Sequence, residues 1–278
     1  MPRLLLLDGN TVERQEAAVA RGTRSPGMVF EETLAAHFPD IGVDRVNAAE
    51  PGDILPDGVT LADYDGLVIG GSGLHAYDDA PEVTRQIDLV RAFAEFGRPI
   101  LGCCWGLQIA VIAAGGAVAR NPAGREIVFA RKVTLTAAGR AHPMFAGKPA
   151  MFDAPCIHFD EVTGLPPGAT LLCSNQHSQV QGAAFRLGRS EVWGVQYHPE
   201  FDLKHLGDIL RVFGDAMIEE GFFRDDAERW EYGRALIRLA AEPGQWSIAW
   251  RLGINDEIVK DELRNAEVIN WVRNCVLI

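Results

Sequence analysis

Two stretches of this 278-residue chain carry residues able to do covalent chemistry. The first, RPILGCCWGLQIAVIAA from Arg98 to Ala114, is a β-type run from Pro99 to Leu101, then Gly102, Cys103, Cys104, Trp105 and Gly106, then an apolar run of helical length. A strand, a sharp turn and a helix in that order display a side chain at the turn. Cys104, with a glycine on each side, is the better-placed thiol. A cysteine attacks as its thiolate, and an ordinary thiol with a pKa of about 8.5 is mostly protonated at neutral pH. The first turn of a helix offers unpaired N–H groups and a positive dipole end that favour the thiolate. The glycines permit a strained backbone and close approach of a substrate. Nucleophile elbows carry such glycines, but two small, buried, unreactive cysteines at the end of a central strand fit the same stretch.

The second stretch runs from Val192 to Tyr197 as a strand and ends in His198, Pro199 and Glu200. Side chains two apart on an extended segment point to one side, so Glu200 can orient the imidazole while the imidazole faces a nucleophile. Pro199 stiffens the pair and is tolerated at a strand end. Alone, such a pair is more often a solvated surface feature. Together with Cys104 it supplies nucleophile, base and orienting carboxylate.

These groups need a scaffold, and the first half of the chain reads as alternating strands and helices. Leu4–Leu7, Val43–Val46, Leu67–Ile69 and the run at Pro99 are short apolar strands. Between them, Val29–Phe38 reads as a helix with Phe30, Leu34 and Phe38 on one face after Ser25, Pro26 and Gly27. Pro81 opens another helix, in which Val83, Ile87, Val90 and Ala94 recur at helical spacing. The pattern predicts an α/β fold: a mainly parallel, open twisted sheet with helices on both faces, of flavodoxin-like type. Ligands in such sheets sit beyond the carboxyl ends of the strands, where the glycine turns at 70–73 and 102–106 both fall. Residues 120–187 change character, with strands at Arg131–Thr136, Thr170–Cys173 and Ala183–Leu187, which predicts an antiparallel or mixed extension of the sheet.

Composition bounds the partners. Hydrophobic content of 47% and charged content of 23% are ordinary for a globular protein. A net charge of −12 argues against binding a phosphate backbone, which needs clustered Lys and Arg. The five cysteines, at 103, 104, 156, 173 and 275, show no CxxC spacing, which fits a reducing cytoplasm and no metal site. The opening MPRLLLLDGN is too short in apolar residues for a signal peptide or membrane span and reads as the first buried strand. No cofactor, membrane or nucleic-acid role is expected.

Three ordered blocks carry a family resemblance: GGSG at Gly70–Gly73, GCCWGLQ containing Gly102, Cys104, Gly106 and Gln108, and GVQYHPE from Gly194 to Glu200. They resemble the signature blocks of class I glutamine amidotransferases, and CIHFDEV followed by LPPGA is similar to a segment of GMP synthase amidotransferase domains. The resemblance covers roughly residues 1–215. It implies a triad of Cys104, His198 and Glu200 that hydrolyses the side-chain amide of glutamine through a γ-glutamyl thioester on Cys104. It also implies an oxyanion hole from the backbone N–H groups of Gly71 and Trp105, each worth about 3 kcal/mol in comparable sites. Gln108, His158 and Asp160 fall in segments that seat the substrate. Phe159 stands where GMP synthases usually show glycine, which implies a narrower or differently tuned pocket. The remaining histidines, His37, His75, His142, His177 and His205, are read as structural or surface residues.

After the triad comes neither a GxxxxGK[ST] loop nor an SGGxDS-like nucleotide motif, and the remainder is small for an ATP-using domain. Residues 216–278 read instead as a helical, Trp-rich extension with Trp230, Trp246, Trp250 and Trp271, buried on the catalytic part or, secondarily, in a homodimer. A helix at Leu203–Met217, with Leu206, Leu210, Phe213 and Met217 on one stripe, closes the catalytic part. Pro243 and Gly244 divide the tail, and Leu263, Ala266, Ile269 and Val272 repeat at a helical interval. Three functions follow: a stand-alone glutamine-hydrolysing amidotransferase, either the subunit of a separate synthetase or a free-standing enzyme, a hydrolase of small γ-glutamyl amines or peptides, or a regulatory module without turnover.

Overall fold

Leu4 to Leu7 fix the centre of the molecule, because their side chains alternate between two cores. Leu5 and Leu7 enter one, Leu4 and Leu6 the other, and all four are fully buried. A strand buried on both faces must lie inside a covered sheet. In the computed structural model, which describes residues 1–52 and 54–277, that strand is β1 (Arg3–Leu7) of a nine-stranded sheet.

The other strands are β2 (Gly42–Val46), β3 (Gly66–Ile69), β4 (Ile100–Cys103), β5 (Ala117–Arg120), β6 (Glu126–Leu135), β7 (Met151–His158), β8 (Asp160–Gly164), β9 (Thr170–Ser174), β10 (Gly182–Leu187) and β11 (Ser190–Val195). The main sheet has the order β2-β1-β3-β4-β11-β10-β9-β6-β7, and β5 pairs with β8 in a separate ribbon. From β2 to β11 neighbours run parallel. From β11 to β7 they run antiparallel. The expected α/β fold, with its mixed extension, is therefore present; β5, β7 and β8 were not expected as strands.

The helices are α1 (Val12–Ala20), α2 (Pro26–His37), α3 (Pro81–Ala94), α4 (Trp105–Ala113), α5 (Ala137–Ala141), α6 (Leu203–Val212), α7 (Gly214–Glu219) and α8 (Asp226–Ala241). Four shorter ones follow: α9 (Trp246–Leu252), α10 (Asp256–Val259), α11 (Asp261–Arg264) and α12 (Ala266–Trp271). Helices α3 and α4 cover one face of the sheet; α2 and α12 cover the other. Ser25 caps α2 by accepting from the Met28 N–H at 3.2 Å, so the helix begins earlier than its apolar stripe, and Phe38 ends it rather than lying on its face. No helix among the described residues is long and apolar enough to cross a membrane.

Two expectations for the last third need correction. The single helix over Leu203–Met217 is broken into α6 and α7 at Phe213, which is 47% exposed. The cause is Arg229 of α8, whose Nη1 takes the carbonyls of Leu210 and Arg211 at 2.6 and 3.1 Å. It sits where a side chain at 214 would be, so Gly214 alone fits. The tail tryptophans are not collectively buried either. Trp271 is fully buried beneath β1 and β3, but Trp230, Trp246 and Trp250 are 39%, 48% and 77% exposed. The aliphatic residues Leu236, Leu239, Ile248, Leu252 and Ile258 fill the core shared with α6 instead.

The β4–α4 turn packs without spare volume. A Cβ on Gly106 would lie 2.3 Å from the Ile69 carbonyl oxygen, and one on Gly102 would lie 2.5 Å from the Gly106 carbonyl carbon. Gly106→Ala is expected to lower unfolding stability by about 3 kcal/mol or more, measured by denaturant titration. Gly244→Ala, which meets nothing within 4 Å, serves as a control expected to stay within about 0.5 kcal/mol of wild type.

Candidate active site

Cys104 occupies the turn between β4 and α4 with φ 54° and ψ −104°, a conformation that costs a side-chain-bearing residue about 1–3 kcal/mol. Its own backbone bonds hold it there. The Cys104 N–H donates to the Val195 carbonyl at 2.8 Å, and its carbonyl accepts from the Gln108 N–H at 3.1 Å. The turn sets the thiol beside the first-turn N–H groups of α4, Trp105 included, which have no intrahelical acceptors. Cys103 faces the opposite way, into the core that holds Leu101. Burial foremost, and the Glu200 charge next, push its thiol far above the usual range. Strand alternation thus separates an inert thiol from one at the elbow.

β11 lies beside β4 in parallel, with Val195 opposite Cys103. Three more residues carry the chain to His198, whose N–H is fixed to the Pro155 carbonyl at 2.8 Å. His198 Nδ1 bonds Glu200 Oε1 at 2.7 Å, and Thr33 Oγ1 donates to the Glu200 carbonyl at 3.3 Å. The imidazole stacks on Phe201 at 3.8 Å and 3°. Cys104 Sγ lies against the same imidazole and meets the Ile157 carbonyl at 3.8 Å. All three side chains are buried, at 5%, 2% and 1% exposure for Cys104, His198 and Glu200.

Burial by itself would lower the pKa of His198. The Glu200 carboxylate, then the Cys104 thiol, outweigh it and raise the value to about 10. On the far side of Phe201, His205 packs edge-on at 4.4 Å. There burial, then the Arg24 charge, push the pKa down to about 3. One phenyl ring therefore separates a protonated from a neutral imidazole.

Gly71 lies in the turn after β3, directly over the imidazole: a Cβ there would fall 2.7 Å from His198 Cε1. Gln108, His158 and Asp160 converge on one carbonyl. Gln108 Nε2 donates to the Asp160 carbonyl at 3.2 Å, and His158 Nδ1 meets it at 3.0 Å. Gln108 also bonds Gln196 Oε1 at 3.3 Å, and His158 Nε2 bonds Glu126 Oε2 at 2.8 Å. The Asp160 carboxylate turns outward to His75 Nδ1 at 2.6 Å and the Tyr77 hydroxyl at 3.2 Å. His75, expected to be a structural or surface residue, takes its place here from a partner 85 residues away, which no local signal announces. Phe159 is covered by the guanidinium groups of Arg120 and Arg125, 4.0 and 5.0 Å from its centroid. Among the described residues, no group of three or more His, Cys, Asp or Glu side chains is placed to hold a metal ion.

Residues 29–215 match the family model of class I glutamine amidotransferases, and the chain belongs to that family of hydrolytic enzymes. Over 99% of its length it is 32% identical to a γ-glutamyl-L-1-hydroxyisopropylamide hydrolase from a Pseudomonas species, covering 93% of that protein. It is 33% identical to the GMP synthase (glutamine-hydrolysing) of Thermomicrobium roseum, but over only 52% of this chain and 25% of that protein. In fold it is similar to a glutamine amidotransferase crystal structure from Thermotoga maritima, with a TM-score of 0.65 at 19% identity, covering 93% of this chain and 98% of that one.

The two imidazoles give a direct pH test. In ¹⁵N NMR spectra, His198 is expected to remain an imidazolium through neutral pH and to titrate near 10, whereas His205 remains neutral down to about 3. Glu200→Gln removes the larger of the raising influences and is expected to lower the His198 midpoint. For His198 the folded value lies above the unfolded value of about 6.5, so its interactions stabilise fully below that pH. The contribution is lost as pH rises toward 10. A His198 ring that titrates near 6.5 in the wild type would contradict this arrangement.

Proposed function

We propose that this protein hydrolyses the γ-amide bond of small γ-glutamyl amines, releasing glutamate and the amine. What carries the reading is similarity to a γ-glutamyl-L-1-hydroxyisopropylamide hydrolase along 99% of the chain, which continues through the C-terminal helices. The match to GMP synthase spans only about half of the chain.

The geometry supports a thioester route. Cys104 attacks the γ-carbonyl carbon as a thiolate, with His198 holding the proton. The tetrahedral oxyanion is met by the N–H groups of Gly71 and Trp105. Its collapse breaks the C–N bond while His198 gives its proton to the departing nitrogen. Water, deprotonated by His198, then cleaves the thioester to glutamate and regenerates Cys104. Glu200 holds the ring's orientation and stabilises its charge throughout. Gln108 and His158 fix the Asp160 segment as the pocket wall, and the Asp160 carboxylate offers an anion to the substrate's α-ammonium. Arg120 offers a cation to its α-carboxylate, whereas Arg125 is held by Glu220 through two nitrogens at 2.9 and 3.0 Å.

A second reading keeps glutamine as the substrate, with ammonia passed to a separate synthetase subunit; the amidotransferase family match supports it. Glutamine and γ-glutamyl amines share the same acyl half, so the triad serves either. A regulatory module without turnover fits poorly, because burying an imidazole, a carboxylate and a thiol together in a strained turn is costly without chemistry. A reducing cytoplasm belongs to the same proposal, with a homodimer as the secondary alternative to packing of the tail on its own catalytic part.

A substrate panel tests it. Purified protein is expected to turn over γ-glutamyl alkylamides with a higher kcat/KM than glutamine, and Cys104→Ala is expected to lower turnover by at least about 1000-fold. Preference for glutamine would favour the amidotransferase reading. Failure of the wild type on glutamine and every γ-glutamyl amide would overturn both.

A further inference from the structure

The segment that carries the imidazole and its carboxylate, residues 197–200, is held by the sheet and by helices. The His198 N–H is tied to Pro155 of β7, and the Glu200 carbonyl to Thr33 of α2. Beside α2, the last helices take hold of the two residues that alternate with the pair. Asn265, between α11 and α12, donates from Nδ2 to the Pro199 carbonyl at 2.6 Å. The Tyr197 hydroxyl donates to Glu267 Oε1 in α12 at 2.5 Å.

We propose that Asn265 and Glu267 are positioning residues for hydrolysis, setting the angle at which His198 meets the Cys104 thiol. The inference rests on the triad reading given above. It makes the C-terminal helices part of the catalytic apparatus without any of their residues touching substrate.

Each contact is built for orientation. Asn265 is 2% exposed, and its Oδ1 bonds His37 Nε2 at 3.1 Å, which leaves the NH₂ group for Pro199. The Pro199 carbonyl lies between the two triad members along the chain, so displacing it turns both side chains. Glu267 is fully buried and meets Lys148 Nζ at 3.0 Å, with side-chain exposures of 0% and 1%. Lys148 also donates to the Leu263 carbonyl at 3.2 Å. Replacing a buried ion pair with apolar residues is often neutral or stabilising, so stability alone accounts poorly for a carboxylate in this place. Its use is a fixed acceptor for the Tyr197 hydroxyl, one residue before the catalytic imidazole. In a site of this kind a misplacement of about 1 Å costs about 100-fold in rate.

The test compares Asn265→Ala and Tyr197→Phe in the full-length chain, with γ-glutamyl-p-nitroanilide as probe. Each is expected to lower kcat by roughly 10-fold or more, to leave KM within about twofold as removal of a purely transition-state interaction requires, and to lower the His198 titration midpoint in ¹⁵N spectra. Tyr197→Phe deletes only a hydroxyl, so it decides the matter if Asn265→Ala does not fold. Wild-type kcat together with an unmoved His198 titration in Tyr197→Phe, and in Asn265→Ala if it folds, would overturn the proposal. Cys104→Ala, run alongside, separates the two levels. If it keeps turnover, the triad reading fails; if it is inactive while the other variants behave as wild type, positioning alone fails. The NMR titration reads the geometry even if wild type ignores this probe.

Discussion

The parallel pairing of β4 with β11 is the constraint on which the rest depends. These strands are far apart in sequence, and their alignment places Val195 opposite Cys103. The Val195 carbonyl then captures the Cys104 N–H, and the chain beyond Val195 runs past the thiol. Slippage by one residue would turn the strand's side chains to opposite faces, sending His198 away from the elbow. Gly102 and Gly106 matter for the same reason: they let α4 and β3 close on the turn without a Cβ between them. The geometry of the proposed triad is here a by-product of sheet register.

The electrostatics follow from that register. A carboxylate, an imidazole and a thiol share a space with almost no solvent, and charge stabilisation between them outweighs the burial of the ring. Phe201 takes part by stacking flat on His198 and presenting its face to the edge of His205. The neighbouring imidazole remains uncharged beside Arg24. Proton storage is thus confined to one ring of the pair.

Much of this was legible in the chain itself. The parallel strands are short apolar runs ending in glycine turns, and the elbow and the His198-Pro199-Glu200 segment sit where their motif blocks lie. What escaped has physical causes. Helix α1 buries none of its residues, so it has no apolar stripe to read. β7 places Asp153 and Pro155 among its apolar residues, which hides its period. The break at Phe213 is imposed by Arg229 from another helix, and Trp250 lies outside although its composition suggested inside. In the site, the roles of His75, Tyr77 and Asn265 are created by partners brought close only by folding.

The backbone at Cys104 has a further consequence. Its positive φ is one that glycine adopts freely and cysteine does not, so the fold holds the proposed nucleophile at a position poorly suited to carry a side chain. Selection for thermal robustness alone would drift toward glycine there, abolishing the chemistry while relaxing the turn. Activity and stability therefore pull in opposite directions at a single codon. Under the proposed function, a thiol at 104 is explained by the reaction it serves rather than by any benefit to the fold.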